Sequence, residues 1–128
     1  MNTERLEQRK IEYYKALARL QDALNQPTTE YTKDAAIQRF EFTYELAWKT
    51  LKLCLEAKDI DVRNAKDTLK AAFEQGFIQE ADGWSLLHQK RNLTSHTYDE
   101  ALAEEVYSFL KEKGIALLSS LQDQLKAL

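Results

Sequence analysis

The sequence predicts an all-α protein, an antiparallel up-and-down bundle of about five helices, on three observations. Its 128 residues include only 3 Gly and 1 Pro, too few for the frequent tight turns of a β-sandwich or a doubly wound sheet. Apolar residues recur at helical spacing over long stretches. A content of 44 % apolar and 30 % charged residues is a globular balance that can bury a core without a disulfide or metal staple. No repeat, low-complexity tract or linker divides the chain, so residues 1–128 are expected to form one domain.

The first helix is expected from Asn2 to Asn25, where Leu6, Tyr13, Leu17, Leu20 and Leu24 share a face and most charges fall elsewhere. Pro27 ends it, and Thr28 or Thr29 caps the next helix. That second helix runs from about Thr32 to Lys58, with Ile37, Phe40, Tyr44, Ala47, Trp48, Leu51 and Leu55 on one stripe, widened by Phe42, Leu46 and Leu53. So broad an apolar face belongs to a central helix, and its aromatic residues read as core rather than as a stacking surface for bases. Asn64 caps a third helix that stops at Gly76. A fourth begins near Asp82, placed as its cap, and carries His88 and Arg91 on one face. The last starts around Asp99 and reaches the C-terminus. Gly114 weakens its interior by about 1 kcal/mol relative to Ala and marks a bend or a close helix contact.

Eighteen basic against 21 acidic residues leave a net charge of −3, so no global basic field attracts nucleic acid or anionic lipid, and any RNA site has to be local. The single cysteine, Cys54, lies in an apolar helical stretch and is expected to be a buried packing thiol of a reducing compartment. The N-terminal residues open into a charged amphipathic pattern without an apolar leader, and no stretch approaches a membrane span. A cytoplasmic chain with no membrane partner is expected.

Most enzyme signatures are absent: there is no phosphate-binding glycine loop, paired-cysteine zinc pattern, HExxH or nucleophile elbow. With two histidines and one cysteine, neither a metal site nor a cofactor is expected. The polar run from Arg91 to Glu100 breaks the bundle pattern at a helix end, where binding loops occur. One reading makes it a capped connection, with Thr97 or Asp99 capping the last helix and Arg91 pairing with preceding carbonyl groups. The other uses its chemistry. Histidine moves protons near neutral pH and arginine offers a planar fork of donors to phosphate oxygens. Arg91 and His96 together are therefore competent for metal-free RNA phosphodiester cleavage, more fully so if a two-fold dimer sets two such loops face to face.

The run Arg91, four residues, His96, one residue, Tyr98 resembles the signature of HEPN domains, in particular those encoded beside a minimal nucleotidyltransferase. The stretch Phe40 to Lys52 is similar to the second-helix block of the nucleotidyltransferase substrate-binding subfamily. So are Ala72-Phe73, Gly76-Phe77-Ile78 and Trp84. The resemblance spans roughly residues 5 to 125, and two separated blocks in the right order make it specific.

The resemblance implies a HEPN-like helical bundle, usually a homodimer whose Arg and His loops line a shared cleft, and in many members a metal-independent ribonuclease. In toxin–antitoxin pairs of this kind, the cognate minimal nucleotidyltransferase neutralises the HEPN toxin by adding AMP to a tyrosine two positions past the histidine. Carried over, Arg91 and His96 are the candidate catalytic pair, Asn92 a candidate for orienting the substrate phosphate, and Tyr98 the candidate adenylylation site. A second interpretation of the subfamily makes it the non-catalytic substrate-binding subunit of a split nucleotidyltransferase. Glu41, Glu45 and His88 stay outside the expected site, because their spacing does not separate a cleft role from surface pairing. The scattered basic set Lys49, Lys52, Lys90 and Arg91 is what remains to gather around RNA.

Overall fold

The structure, a computed structural model, describes residues 3–128, and every regular element within them is helical. In order these are α1 (Thr3–Leu24), α2 (Glu30–Glu56), α3 (Ala65–Glu74), α4 (Ala81–Leu93), α5 (Glu100–Phe109) and α6 (Ile115–Lys126). A 3₁₀ turn, Thr94–His96, follows α4, and a π turn, Leu110–Gly114, joins α5 to α6 as one rod, so the chain forms the five-helix bundle that its pattern predicts. The expected start of the first helix at Asn2 lies outside the described residues.

The α1–α2 hairpin is the frame. Thr29 caps α2 through a reciprocal box: its hydroxyl accepts from Thr32 N–H at 3.1 Å while its own N–H donates to Thr32 Oγ1 at 2.7 Å. The helix therefore starts at Glu30, ahead of the expected Thr32, because Thr29 is the cap and Thr32 is the third residue of the first turn, the other half of the box. α2 packs along α1 and also against α3, α4 and α5, which is why its apolar stripe is so wide. Phe40, Tyr44, Ala47, Leu51 and Leu55 are fully buried and meet Tyr13, Leu17 and Leu20 of α1 and Leu118, Leu121 and Leu125 of α6 in one core. The Tyr13 hydroxyl donates to the Leu118 carbonyl at 2.7 Å, satisfying a polar atom that burial would otherwise leave at a cost of about 1–3 kcal/mol.

Two expectations need correction. Phe42 is 56 % exposed and is no part of the core, since two residues after the buried Phe40 the helix has turned by roughly 200°. Asp82 does not cap α4: the cap is Glu80, without a side-chain hydrogen bond, and Asp82 lies in the first turn, where the helix dipole still favours a carboxylate. Phe77 and Ile78, both buried, anchor the preceding loop and determine where the helix can begin.

The helix ends behave as expected elsewhere. Asn64 caps α3 by accepting from Asp67 N–H at 2.9 Å, and Gly76, at φ +79°, takes the left-handed conformation that closes it. Gly114 is buried in the π turn, where a Cβ would come within 3.1 Å of Leu110 and Phe109 side chains. The glycine therefore falls at a π irregularity, and its tight contacts are with side chains one turn back in the same rod rather than with another helix. Cys54 is buried, and burial pushes its thiol up to about 11. Among the described residues no helix is long and apolar enough to cross a membrane.

Candidate functional site

Where α4 runs out, the chain turns through Thr94–His96 before Asp99 starts α5. The turn is pinned at both ends. Asp99 Oδ1 accepts from Ala101 and Leu102 N–H at 2.8 and 3.2 Å, and Asp99 N–H donates to the His96 carbonyl at 3.1 Å. The capped connection is thus real, with Asp99 as the cap, while Thr97 donates back to the Thr94 carbonyl. Arg91 and Asn92 belong to the last turn of α4 and not to a loop.

Arg91 does not pair with preceding carbonyl groups. Its guanidinium crosses to α2, with Nη1 3.5 Å from Glu41 Oε2 and Nε 3.6 Å from Glu45 Oε1. Nη1 also donates to Thr94 Oγ1 at 3.1 Å, and that hydroxyl stands 3.0 Å from Glu41 Oε2 and 2.7 Å from the Arg91 carbonyl. Glu45 is held from its other side by Trp48 Nε1–H at 3.1 Å. The result is a half-buried chain, Trp48–Glu45–Arg91–Thr94–Glu41, in which Arg91 Nε is buried yet has no hydrogen-bond partner.

One turn earlier on α4, His88 Nδ1 lies 2.7 Å from the Tyr44 hydroxyl. Burial, then the Glu45 carboxylate, push the Tyr44 phenol well above its ordinary range against the opposing pull of Arg91. His88 and Arg91 therefore do share a face, as read from the sequence, and that face is turned to α2. A cavity of about 400 Å³ between α3 and α4 has His88, Trp84, Leu69 and Phe73 in its walls, and neither Arg91 nor His96 is among its lining residues.

The other expected site residues lie outward. Asn92 and His96 are exposed, and Tyr98 is 85 % exposed. The rings of His96 and Tyr98 stand edge to face, 6.2 Å between centroids. No hydrogen bond joins Arg91 to His96 among the described residues, so within one chain the arginine belongs to a carboxylate network and the histidine to an open tyrosine-bearing turn. Of the basic set, Lys90 is engaged elsewhere: it donates to Glu105 at 2.8 Å and covers the Phe109 ring. No three His, Cys, Asp or Glu side chains converge on a point among the described residues.

Glu41, Glu45 and Trp48 fall outside the site read from the sequence. The available signal was their i, i+4, i+7 spacing along α2, one polar edge beside the buried aromatic stripe. Thr94 was hidden among other polar residues, and its near-complete burial is a tertiary property.

Known proteins are similar to this chain in sequence and fold. The family described as nucleotidyltransferase substrate binding protein like matches residues 8–127. The chain belongs to this HEPN-like family. A Haemophilus influenzae relative described as "Probable ribonuclease HepT" is 41 % identical over 91 residues, covering 64 % of this chain and 62 % of that protein. The match thus spans less than two thirds of that relative's length. Two solved structures share the fold of this family member. One, a crystal structure from Thermus thermophilus, has a TM-score of 0.77 at 32 % identity over 90 % of this chain and 96 % of that one. The other, from Haemophilus influenzae, is described as revealing the fold of a substrate binding domain of a nucleotidyltransferase. It has a TM-score of 0.69 at 29 % identity over 96 % of this chain and 98 % of its own.

Proposed function

We propose that this chain is a metal-independent endoribonuclease of the HEPN type, acting as a homodimer and held in check by a minimal nucleotidyltransferase that adenylylates Tyr98. The observation that carries the reading is the placement of Arg91 in the last turn of α4 and of His96 and Tyr98 in and after the short turn beyond it. A half-buried guanidinium is then followed along the chain by an exposed proton carrier and an exposed phenol. The relative described as a probable ribonuclease supports it.

In this reaction His96 takes the proton of an RNA 2′-hydroxyl, whose oxygen attacks the adjacent phosphorus. The 5′-oxygen leaves with a proton from the second copy's His96, and a 2′,3′-cyclic phosphate remains. Arg91 stabilises the charge that grows on the phosphate, and Asn92 orients it. Adenylylation joins the Tyr98 oxygen to the α-phosphorus of ATP with release of pyrophosphate. The added anion excludes RNA by volume and repulsion. The Tyr98 hydroxyl has no hydrogen-bond partner among the described residues, and its exposure suits modification by a second protein.

Purified dimer is expected to cleave RNA in chelator, and His96→Ala to abolish cleavage without unfolding. Incubation with the neighbouring nucleotidyltransferase and ATP is expected to add one AMP mass, absent in Tyr98→Phe. Lack of cleavage across a broad RNA panel favours the second reading, a non-catalytic substrate-binding subunit. That reading is supported by the neutralisation of Arg91 by two carboxylates and by the description of the second solved relative.

A further inference from the structure

We propose that Glu41 and Glu45 are positioning residues for Arg91, fixing the direction of its guanidinium without consuming its donors and setting how tightly the site holds a phosphodiester. The inference rests on the reading of Arg91 as a phosphate ligand.

The contacts are ionic but long. At 3.5 and 3.6 Å the two carboxylates lie beyond the 2.7–2.9 Å of a good charge-assisted hydrogen bond. Nε is buried and makes no hydrogen bond. An arginine meant only to tie α4 to α2 would gain by closing a two-pronged bond on one carboxylate. Here each acid is drawn aside by a neighbour, Glu45 by Trp48 Nε1 and Glu41 by Thr94 Oγ1. The guanidinium is consequently held between two charges, and Nη2, which makes no hydrogen bond among the described residues, keeps its donors for a third oxygen ligand.

The same arrangement has an electrostatic consequence. One guanidinium and two carboxylates leave a local charge of −1 when all three are ionised, which opposes a phosphate's approach. The acids therefore weaken ground-state binding while they aim the group that stabilises the transition state. Interactions of this kind raise turnover rather than affinity, so removing one carboxylate is expected to move binding and turnover in opposite directions.

Glu45→Gln and Glu41→Gln are each compared with wild type for RNA cleavage. Binding of a fluorescent RNA is measured in a His96→Ala background. Each glutamine variant is expected to bind RNA about three- to tenfold more tightly, from loss of a nearby like charge, and to turn over at least about tenfold more slowly, from loss of orientation. Glu45→Asp, which keeps the charge and shortens the reach, is expected to lose turnover with affinity unchanged. A merely structural acid would instead lower both the active fraction and binding. Glutamine variants that bind RNA no more tightly than wild type overturn the proposal. The Arg91 Nε–H resonance gives a readout independent of RNA: slow solvent exchange in wild type and fast exchange in Glu45→Gln are expected, and an unchanged signal also overturns the positioning role. If wild type neither binds nor cleaves RNA, the ribonuclease reading falls, and this resonance decides the positioning alone.

Discussion

The phenol of Tyr44 and Nδ1 of His88 stand 2.7 Å apart across the α2–α4 contact, one helical turn from the pairing of Arg91 with Glu41 and Glu45. No other acceptor serves the phenol among the described residues, so donation from Tyr44 to the ring nitrogen satisfies both groups. Tyr44→Phe keeps the packing and deletes the bond. It is expected to cost about 1–2 kcal/mol in urea unfolding.

Alkaline stability depends on the same residue and on Tyr13. Burial raises both phenols above their ordinary value. A raised folded pKa means the native chain keeps protons that the unfolded chain releases. The stabilisation is therefore whole below about pH 10 and is lost as pH rises from there through the folded values. Cys54, pushed up to about 11, adds to the loss from about pH 8.5 upward. The melting temperature is expected to fall steeply above pH 10, and less steeply in Tyr44→Phe.

Cys54 serves as a probe of opening. It is 3 % exposed with a thiol held protonated, so an aromatic disulfide reagent is expected to leave it untouched in the native chain. Its labelling rate should rise in urea in parallel with unfolding. Fast labelling in buffer would show that the α1–α2 core opens locally.

Gly83 lets α4 approach α6. A Cβ there would stand 2.7 Å from Leu117 Cδ2, closer than the atoms can pack, so Leu117 has to move within a buried site. The strain is expected to outweigh the helix-propensity gain of about 1 kcal/mol, making Gly83→Ala destabilising by about 1 kcal/mol. In a Leu117→Ala background the same substitution is expected to stabilise, a coupling that a double-mutant cycle measures.

Asp99 sets the turn that bears His96 and Tyr98. Asp99→Ala removes the acceptor for two α5 N–H groups and is expected to cost about 1 kcal/mol. Faster amide exchange should be confined to roughly residues 96–103, with α1 and α2 unchanged. A uniform increase across the chain would contradict the local role.

Much of this was legible in one dimension. The spacing of Phe40, Tyr44, Ala47, Leu51 and Leu55 marks a central helix, because periodicity is a property of the local chain. Asn64, Gly76 and Asp99 mark helix ends for equally local reasons. Phe42 misleads, since an aromatic residue counts as core on hydropathy even when the helix has turned it outward. Asp82 misleads as well, since a good cap residue does not start a helix when the loop before it is anchored elsewhere.

The sequence by itself determined the helical class, the order and approximate ends of the helices, the burial of Cys54, and the resemblance to a family that the match over residues 8–127 shows. Only the tertiary structure decided what Arg91 touches. Thr94 and Glu41 are 53 positions apart, and no periodic pattern encodes which turn of α4 meets which turn of α2. That register depends on how the buried side chains of the two helices fit. The fit sets a guanidinium between two carboxylates while His96 and Tyr98 stay in solvent.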